Sequence, residues 1–507
     1  MNKCLYEQLF IPHGDSAMYE EHLWNVWHGK GFRSYLDQGL FLGEHIQVIH
    51  LLLLPLHILW PSHLLLELTE SVALGFCTVP VFLIGRRHSG SEKAAFWLAM
   101  AWLLFFPMHY LDIAIDQKTF RPIALAVPAL FWMIEFAERR SVRGTIIFLI
   151  LALSAKEDVA LITCPLLMVL AVLEFRQGRS AVFSDASDTS TKASCGKVFA
   201  VLSVLSLAYL MIAVLILIPA FRSGGDVHYS QYFGDLGRSP GELLKTAFTD
   251  PARVLAHVLS VRTALYVCVF LLPLGLTPLF SPLRLLSAVF TFVMLALLQL
   301  NVADGGDLPP VPYHHFHAPM LPVLFWAASV GLRSGGDALR RMIPQGKALE
   351  TESSTGLSTL IFLSCALTAV TGSAMPCGAS FWSDESPFGV HSLYIPTDVQ
   401  QQERSRLAQK VVAMIPKSAH VASTDFIHTR LTHCERSYDY SDYPRAVNNY
   451  KPGVPPDTDY IVIDTGHRYS KIRTPSEVPE LNDGSGSWEL LPDQFNGVFL
   501  VLKRRGI

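Results

Sequence analysis

The chain has 507 residues, of which 50% are hydrophobic and 16% are charged, against about 25% charged residues in a typical soluble domain. Its net charge is -3, its isoelectric point is about 6.7 and its mean hydropathy is +0.33. These values exclude a disordered chain, argue against nucleic acid as the main partner, and indicate a polytopic α-helical membrane protein.

The N-terminal segment from His13 to Lys30 combines carboxylates, imidazoles and indoles. Its distinctive members are Asp15, Glu20, Glu21, His22, Trp24, Asn25, Trp27 and His28. Carboxylates and imidazoles suit general acid–base catalysis, and indole rings suit stacking against a sugar. The same composition is typical of an amphipathic helix at the membrane interface. By itself the composition favours the interfacial helix.

Apolar runs long enough to cross the bilayer begin at His63, because a helix needs about 20 apolar residues to span roughly 30 Å of hydrocarbon. The clearest runs are His63–Gly85, Val198–Ala220, Arg284–Val302, His317–Gly331 with its flanks and Leu357–Met375. Shorter candidates are Ala94–Met108, Ile123–Ala137, Val159–Phe175 and Thr263–Phe280. Thr145–Ala155 is too short to span alone. We predict about ten spans within residues 63–375.

Lysine and arginine are concentrated in alternate loops, with fifteen in one set and three in the other. The rich loops are Arg86–Lys93, Glu138–Arg143, Glu174–Lys197, Ser281–Arg284 and Arg333–Lys347. The poor loops are His109–Pro122, Lys156–Asp158 and Asn301–Phe316. The rich set is therefore expected in the cytoplasm of a cell whose inner membrane holds the protein.

The run Ile46–Trp60 is apolar enough to resemble a span, but a span there would invert every later loop. We therefore predict an interfacial or re-entrant helix on the outer face, where its histidines, Pro55 and Trp60 fit well. Residues 1–62 as a whole are then expected outside the membrane.

Two outer loops carry charges next to apolar runs, where ionisable groups are costly and indicate function by default. Asp112 and Asp116 are four residues apart, so on a helix they would share one face and could hold a divalent cation. They could equally pair with Lys118 and Arg121 in a solvated loop.

The triplet Lys156-Glu157-Asp158 is either a tight turn or the charged lining of a cavity. Turns usually contain Gly, Asn or Pro, so the composition favours the cavity. His315 and His317 precede a later apolar run. They would suit a metal, a phosphate or a proton relay, or an aromatic and histidine belt at the interface. Their spacing matches no specific zinc signature.

Residues 376–507 are polar and have the periodicity of a soluble domain. The predicted elements are a helix over Asp398–Ile415 and strands over Ala419–Ser423, Tyr460–Asp464 and Val498–Leu502. We expect a small extracytoplasmic α/β domain. Cys377 and Cys434 both lie in it and could form a disulfide in an oxidising compartment.

The order of several motifs resembles a family of predicted bacterial and archaeal polytopic membrane proteins known only as a domain of unknown function. The matching segments are Asp15–Asn25 with His28-Gly29, Phe120–Pro122, Lys156–Leu161, His315–Pro319 and Asp459–Asp464. Glu20 replaces an aspartate of that family. Its members usually have a span before the acidic motif, so we expect either a misassigned start at Met1 or loss of that span.

That family is similar to the GT-C membrane glycosyltransferases, which take a sugar from a polyprenyl-phosphate carrier on the outer face. The resemblance implies that Asp15 is the catalytic base, with Glu20 or Glu21 second. The residues implied in substrate binding are Trp24, Asn25, His28, Lys118, Arg121, Lys156, Glu157, Asp158, His315 and His317. The cations among them would stabilise the phosphate leaving group.

The implied donor is a polyprenyl-phosphate sugar and the implied acceptor is an envelope glycan, lipid or protein. A divalent cation could serve as a cofactor. The alternative is a non-enzymatic transporter or envelope-assembly scaffold that uses the same charges as a permeation path or docking surface. A transporter should place charges near the bilayer midplane. The predicted position at the outer edge favours the enzyme.

Overall fold

The computed structural model describes most of the chain. The described residues are 2–9, 14–35, 40–112, 120–180, 186–222, 233–237, 240–298, 315–342, 350–373, 375–382, 399–440, 453–467, 470–492 and 494–506. They form a predominantly helical protein with one small C-terminal sheet. This confirms the predicted helical membrane architecture at a coarse level.

The N-terminal half is helical from its first described residue. Its helices are α1 (Asn2–Glu7), α2 (Gly14–Trp27), α3 (Leu40–Glu44), α4 (Leu54–Leu59), α5 (His63–Phe76), α6 (Thr78–Ser89), α7 (Glu92–Leu104), α8 (Phe106–Asp112), α9 (Ala126–Glu138), α10 (Val142–Ala155), α11 (Ala160–Ser180), α12 (Ala186–Ile212) and α13 (Ile218–Phe221). A 3-10 helix, Ile49–Leu53, leads directly into α4.

The following helices complete the apolar part of the chain. They are α14 (Pro240–Thr249), α15 (Pro251–Val258), α16 (Val261–Leu271), α17 (Pro282–Leu285), α18 (Val289–Leu297), α19 (Met320–Met342), α20 (Glu350–Gly372) and α21 (Ala379–Trp382). Short 3-10 helices include Pro122–Leu125, Thr277–Phe280 and His315–His317.

Four stretches of the described chain are long and apolar enough to cross a membrane, or six if two bent helix pairs each count as one span. The four are His63–Ser89, Glu157–Arg176, Ser194–Phe221 and Ser353–Gly372, and the bent pairs are α7 with α8, at 49°, and α15 with α16, at 41°. Other predicted spans coincide with shorter helices, such as α9, or with the charged α19.

The loops rich in lysine and arginine meet at one end of the bundle. Arg87 pairs with Glu138 at 2.7 Å, and Arg140 pairs with Glu174 at 3.0 Å. At the other end, the described parts of two alternate loops meet, where the ammonium of Lys156 lies 5.2 Å from the centre of the Phe316 ring. These described parts therefore lie at the ends of the bundle that the sequence distinguishes.

The predicted interfacial segment is a short bent helix, formed by Ile49–Leu53 and α4. Its eleven residues are less than about 20 Å long, well below the roughly 30 Å of the hydrocarbon core. It is thus too short to span alone, as expected for an interfacial or re-entrant helix.

The C-terminal domain contains a five-stranded mixed sheet. Its elements are α22 (Val399–Met414), β1 (His420–Ser423), α23 (Asp425–His428), β2 (Arg436–Asp439), β3 (Tyr460–Asp464), α24 (Pro479–Asn482), β4 (Trp488–Leu490) and β5 (Phe499–Arg504). The strand order is β2-β1-β3-β5-β4, with β1 parallel to β2 and β3, and β5 antiparallel to its neighbours. The predicted helix and three predicted strands are confirmed.

The N-terminal residues pack onto this domain. The side chain of Leu9 is buried with Leu407 and Phe499 in the domain core. Arg430 donates a hydrogen bond to the carbonyl of Tyr6 at 2.6 Å. The N-terminal helix α1 therefore lies beside the C-terminal domain.

The two cysteines considered for a disulfide are both free thiols in the structure. Cys377 is exposed, whereas Cys434 is buried beside the sheet. Burial raises the pKa of the Cys434 thiol to about 12. A disulfide between them is therefore not part of this fold.

Candidate functional site

The acidic helix α2 lies at the junction between the bundle and the C-terminal domain. It packs against the 3-10 helix Ile49–Leu53, α4 and α5 on the bundle side. Asp15 belongs to the first turn of α2, and its side chain lies outside the described part of the chain. The structure describes the next two candidate carboxylates, Glu20 and Glu21, in full.

Glu20 is held by residues from both sides of this junction. Its side chain is 1% exposed. One carboxylate oxygen accepts a hydrogen bond from Nε2 of His433 at 2.8 Å, and the other accepts from the hydroxyl of Thr432 at 3.0 Å. Nε2 of His57 lies 3.7 Å from the first oxygen. Burial opposes ionisation, but the attraction and the hydrogen bond of His433, together with the nearby His57, outweigh it, so the pKa of Glu20 lies well below its usual range.

Glu21 faces a different part of the domain. Its carboxylate accepts from the backbone N–H of Tyr35 and lies 3.1 Å from Nε2 of His428. Nδ1 of His428 is 3.1 Å from the hydroxyl of Ser423, at the end of β1. This acid–imidazole–hydroxyl series is buried throughout. Since no solvent reaches its hydroxyl, the series joins α2 to β1 rather than presenting a nucleophile to a substrate.

An aromatic surface continues from the Glu20 contacts to the exterior. The ring of Trp24 stacks on His433, with centroids 3.9 Å apart and planes 9° apart. The ring of His28 also contacts Trp24, with centroids 3.8 Å apart, and Trp27 is 42% exposed. The exposed indole of Trp27 suits stacking on a sugar ring.

A small cleft opens beside α2, between the helix and the loop before β2. Asn25 lines it and donates to the carbonyl of Arg33 at 2.9 Å. Glu435 on the facing wall pairs with Lys30 at 2.6 Å and with Arg33 at 3.6 Å. Charged side chains of both signs therefore line this cleft.

The predicted Lys156 triplet forms a second buried cluster at the same end of the bundle. Lys156 is 4% exposed, and its ammonium lies 2.8 Å from Asp158 and 5.2 Å from the centre of the Phe316 ring. Glu157 accepts from the backbone N–H of Ile46 at 2.9 Å and lies 2.8 Å from His45. The triplet thus binds the start of the interfacial segment and is more than a solvated turn.

The histidine segment packs beside this cluster. His317 is fully buried, with Nε2 3.2 Å from the carbonyl of Pro107. Phe316, between His315 and His317, covers Lys156, and the segment also contacts Pro122–Leu125. Arg121, immediately before that 3-10 helix, is half-buried. The structure therefore brings together three of the predicted outer segments.

Of the two aspartates in the predicted cation site, the structure describes Asp112. Asp112 is 9% exposed and accepts from the hydroxyl of Ser71 at 2.6 Å. Asp116 and Lys118 lie outside the described residues. A cation at the two aspartates stays a prediction.

Sequence reasoning missed the partners of Glu20. Thr432 and His433 follow it by 412 and 413 residues and sit in a loop with no recognisable motif. His57 is part of the predicted interfacial helix, where its apolar neighbours give no sign of a polar partner. The packing of both α4 and the C-terminal domain on α2 brings these side chains together.

This fold and junction define a polytopic helical membrane protein with a small α/β domain packed on its N-terminal acidic helix. The chain belongs to DUF2079, a family of predicted membrane proteins, which it matches over residues 6–500. No curated protein matches the chain. The predicted membership in a membrane family of unknown function is confirmed, and a similarity to GT-C enzymes stays a prediction.

Proposed function

We propose that the protein is a glycosyltransferase of the inner membrane that takes a sugar from a polyprenyl-phosphate donor on the outer face and transfers it to an envelope acceptor. The observation that carries this proposal is the position of α2. The helix holds its carboxylates and the exposed indole of Trp27 at the end of the bundle where Lys156 and the His315–His317 segment also lie. That arrangement offers acid–base groups, a sugar platform and cations at the membrane edge.

The proposed topology has about ten spans with the C-terminal domain outside the cell. The spans are α5 with α6, α7 with α8, α9, α10, α11, α12, α15 with α16, α17 with α18, α19 and α20. This path is supported by the meeting of the lysine- and arginine-rich loops at one end, which the positive-inside rule places in the cytoplasm.

In the proposed reaction, the carboxylate of Asp15 removes the proton from the acceptor hydroxyl as that oxygen attacks the anomeric carbon of the sugar. The bond between this carbon and the phosphate oxygen breaks, and the phosphate leaves with the electron pair. Lys156 and Arg121 would stabilise the charge that develops on the phosphate. Glu20 and Glu21 are already engaged by histidines, so they position α2 while Asp15 acts as the base.

Asp15→Asn is expected to lower transfer by about 100- to 10,000-fold, the usual contribution of a positioned general base. The measurement is transfer of radiolabel from a panel of polyprenyl-phosphate sugars to envelope acceptors by the purified full chain. Glu7→Gln is the matched control, because Glu7 is an exposed carboxylate of the preceding helix that pairs with Lys3. Full activity of Asp15→Asn would refute the assignment of the base. Absence of transfer by folded wild-type protein across the panel would instead favour the transporter or scaffold.

Cys377 is expected to react with a membrane-impermeant maleimide added to intact spheroplasts, because the residue is exposed and the proposed topology places it outside. Cys377→Ser should remove most of this labelling, because Cys4, which also lies in an outer segment, is only partly exposed. Glu92→Cys in the Cys377→Ser background is the matched control, since Glu92 is 78% exposed at the opposite end and should react only after permeabilisation. The reverse pattern would place the C-terminal domain in the cytoplasm and contradict an external site.

A further inference from the structure

Three potential metal ligands converge at the junction from separate parts of the chain. Glu20 comes from α2, His57 from α4 and His433 from the loop between α23 and β2. A carboxylate oxygen and one nitrogen of each imidazole all lie within 4.8 Å of one another. Such convergence of two imidazoles and a carboxylate is the ligand set of many zinc sites that keep an open position.

His57 supplies an independent indication. Its side chain is 0% exposed, and neither ring nitrogen has a hydrogen-bond partner among the described residues. A buried polar group without a partner costs about 1–3 kcal/mol, so native proteins seldom retain one. A cation between His57 and Glu20 would satisfy the imidazole nitrogen that points toward the carboxylate at 3.7 Å.

We propose that Glu20, His57 and His433 form a binding site for Zn²⁺ or a similar transition-metal ion. Bonds of about 2.0–2.2 Å in a tetrahedral site place ligand atoms about 3.3–3.6 Å apart. The two separations from the Glu20 oxygen, 2.8 Å and 3.7 Å, bracket that value, and all three ligand atoms lie within 4.8 Å of one another. Imidazole nitrogens favour a transition metal over Mg²⁺ or Ca²⁺, which prefer oxygen.

The groups that contact these ligands also suit a metal site. The Thr432 hydroxyl holds the second oxygen of Glu20, and the ring of Trp24 stacks on His433. Contacts of this kind orient metal ligands. The ion would tie α2, the interfacial helix and the C-terminal domain together and leave a fourth position for water or an oxygen ligand. The proposal goes beyond glycosyl transfer and does not depend on it.

The test measures metal binding by the full chain in detergent. The protein is first treated with a chelator and then supplied with Zn²⁺, or with Co²⁺ as a spectroscopic probe. The wild type is expected to retain one Zn²⁺ per chain and to give the visible bands of tetrahedral Co²⁺. His433→Asn should abolish both signals; its ring is 25% exposed, which makes the variant tolerable for folding. Thr432→Ala, which removes only the hydroxyl on Glu20, should weaken affinity by about 10- to 100-fold.

Two further variants separate metal binding from folding. His420→Ala removes a partly exposed histidine of the same domain, paired with Asp457, and should bind the ion like wild type. His433→Cys supplies a thiolate ligand and should restore Co²⁺ binding with an added sulfur charge-transfer band. Equal zinc retention by the wild type and His433→Asn, or no retention by folded wild type, would overturn the proposal. Size-exclusion profiles and thermal unfolding establish that each variant is folded.

Discussion

Asp464→Asn is expected to lower the free energy of unfolding of the C-terminal domain by about 3–5 kcal/mol. Asp464 is fully buried at the end of β3. Its two oxygens accept from Nε of Arg404 at 2.9 and 3.1 Å, and one also accepts from Nη2 at 2.5 Å. An asparagine keeps the shape but removes the charge. Arg404, itself 5% exposed, would then lose the negative charge that faces its guanidinium at the end of β3.

Hydrogen exchange of the β1 and β3 amides in the full chain measures this loss directly. The expected change is an acceleration of about two to four orders of magnitude, since each 1.4 kcal/mol is tenfold. Glu489→Gln is the matched control, because Glu489 is an exposed carboxylate on β4 of the same sheet and should change stability by less than about 0.5 kcal/mol.

The double variant Arg404→Met with Asp464→Leu distinguishes an uncompensated charge from lost packing. Replacing a buried ion pair by apolar side chains of similar volume is often neutral or stabilising, whereas breaking it is costly. We therefore expect the double variant to be more stable than Asp464→Asn. Wild-type exchange rates in Asp464→Asn would show that the ion pair does not hold β3 to α22.

The strands that the sequence predicts differ in composition from those it misses. β3 and β5 are continuous β-branched and aliphatic runs, which is the pattern of a strand buried on both faces. The missed strands, β2 and β4, have four and three residues and are the two edges of the sheet. Their short, mixed sequences carry no periodic signal, so pairing with a neighbour decides their conformation.

The apolar bundle is predictable for a different reason. Hydropathy measures whether a segment is apolar enough to lie in lipid or in the protein core. The runs that begin at His63, Val198 and Leu357 accordingly coincide with long apolar helices. Hydropathy does not report bends. The break between α7 and α8 falls at Phe105, immediately before a helix with Pro107 in its first turn, where the ring removes a backbone donor.

The candidate site was predicted in part. Composition alone singled out Glu20 and Glu21, but it could not assign them separate partners. Adjacent residues on a helix point about 100° apart. Glu20 therefore faces His433 and Glu21 faces His428, both more than 400 residues away. Contacts at such separation follow from tertiary packing, and no local spacing in the sequence indicates them.

Gly331→Ala is expected to lose most of the folded protein. Gly331 lies in α19, where the helix passes the 3-10 turn Thr277–Phe280. A Cβ atom at this position would sit 2.0 Å from the carbonyl oxygen of Thr277 and 2.9 Å from its carbon. Overpacking typically costs about 1–3 kcal/mol and more where backbone must move. The measurements are the monodisperse fraction after detergent extraction and the thermal midpoint.

Gly356→Ala is the matched control on α20, because nothing lies within 4 Å of its added Cβ. It should be neutral or stabilising by up to about 1 kcal/mol, the difference in helix propensity between glycine and alanine. Equal yields and midpoints for Gly331→Ala and Gly356→Ala would contradict the close approach of α19 to Thr277.

The identity of the clashing atom gives a sharper test. If the obstacle were the Thr277 side chain, Thr277→Ala would relieve the clash and rescue Gly331→Ala. Because the nearest atoms are backbone, the Thr277→Ala and Gly331→Ala double variant should be as defective as Gly331→Ala itself. Small residues allow helix backbones to approach closely in a membrane, where lipid provides no hydrophobic force between helices. Packing at Gly331 therefore stabilises the contact between α19 and this turn. The contact requires a residue without a side chain at this position.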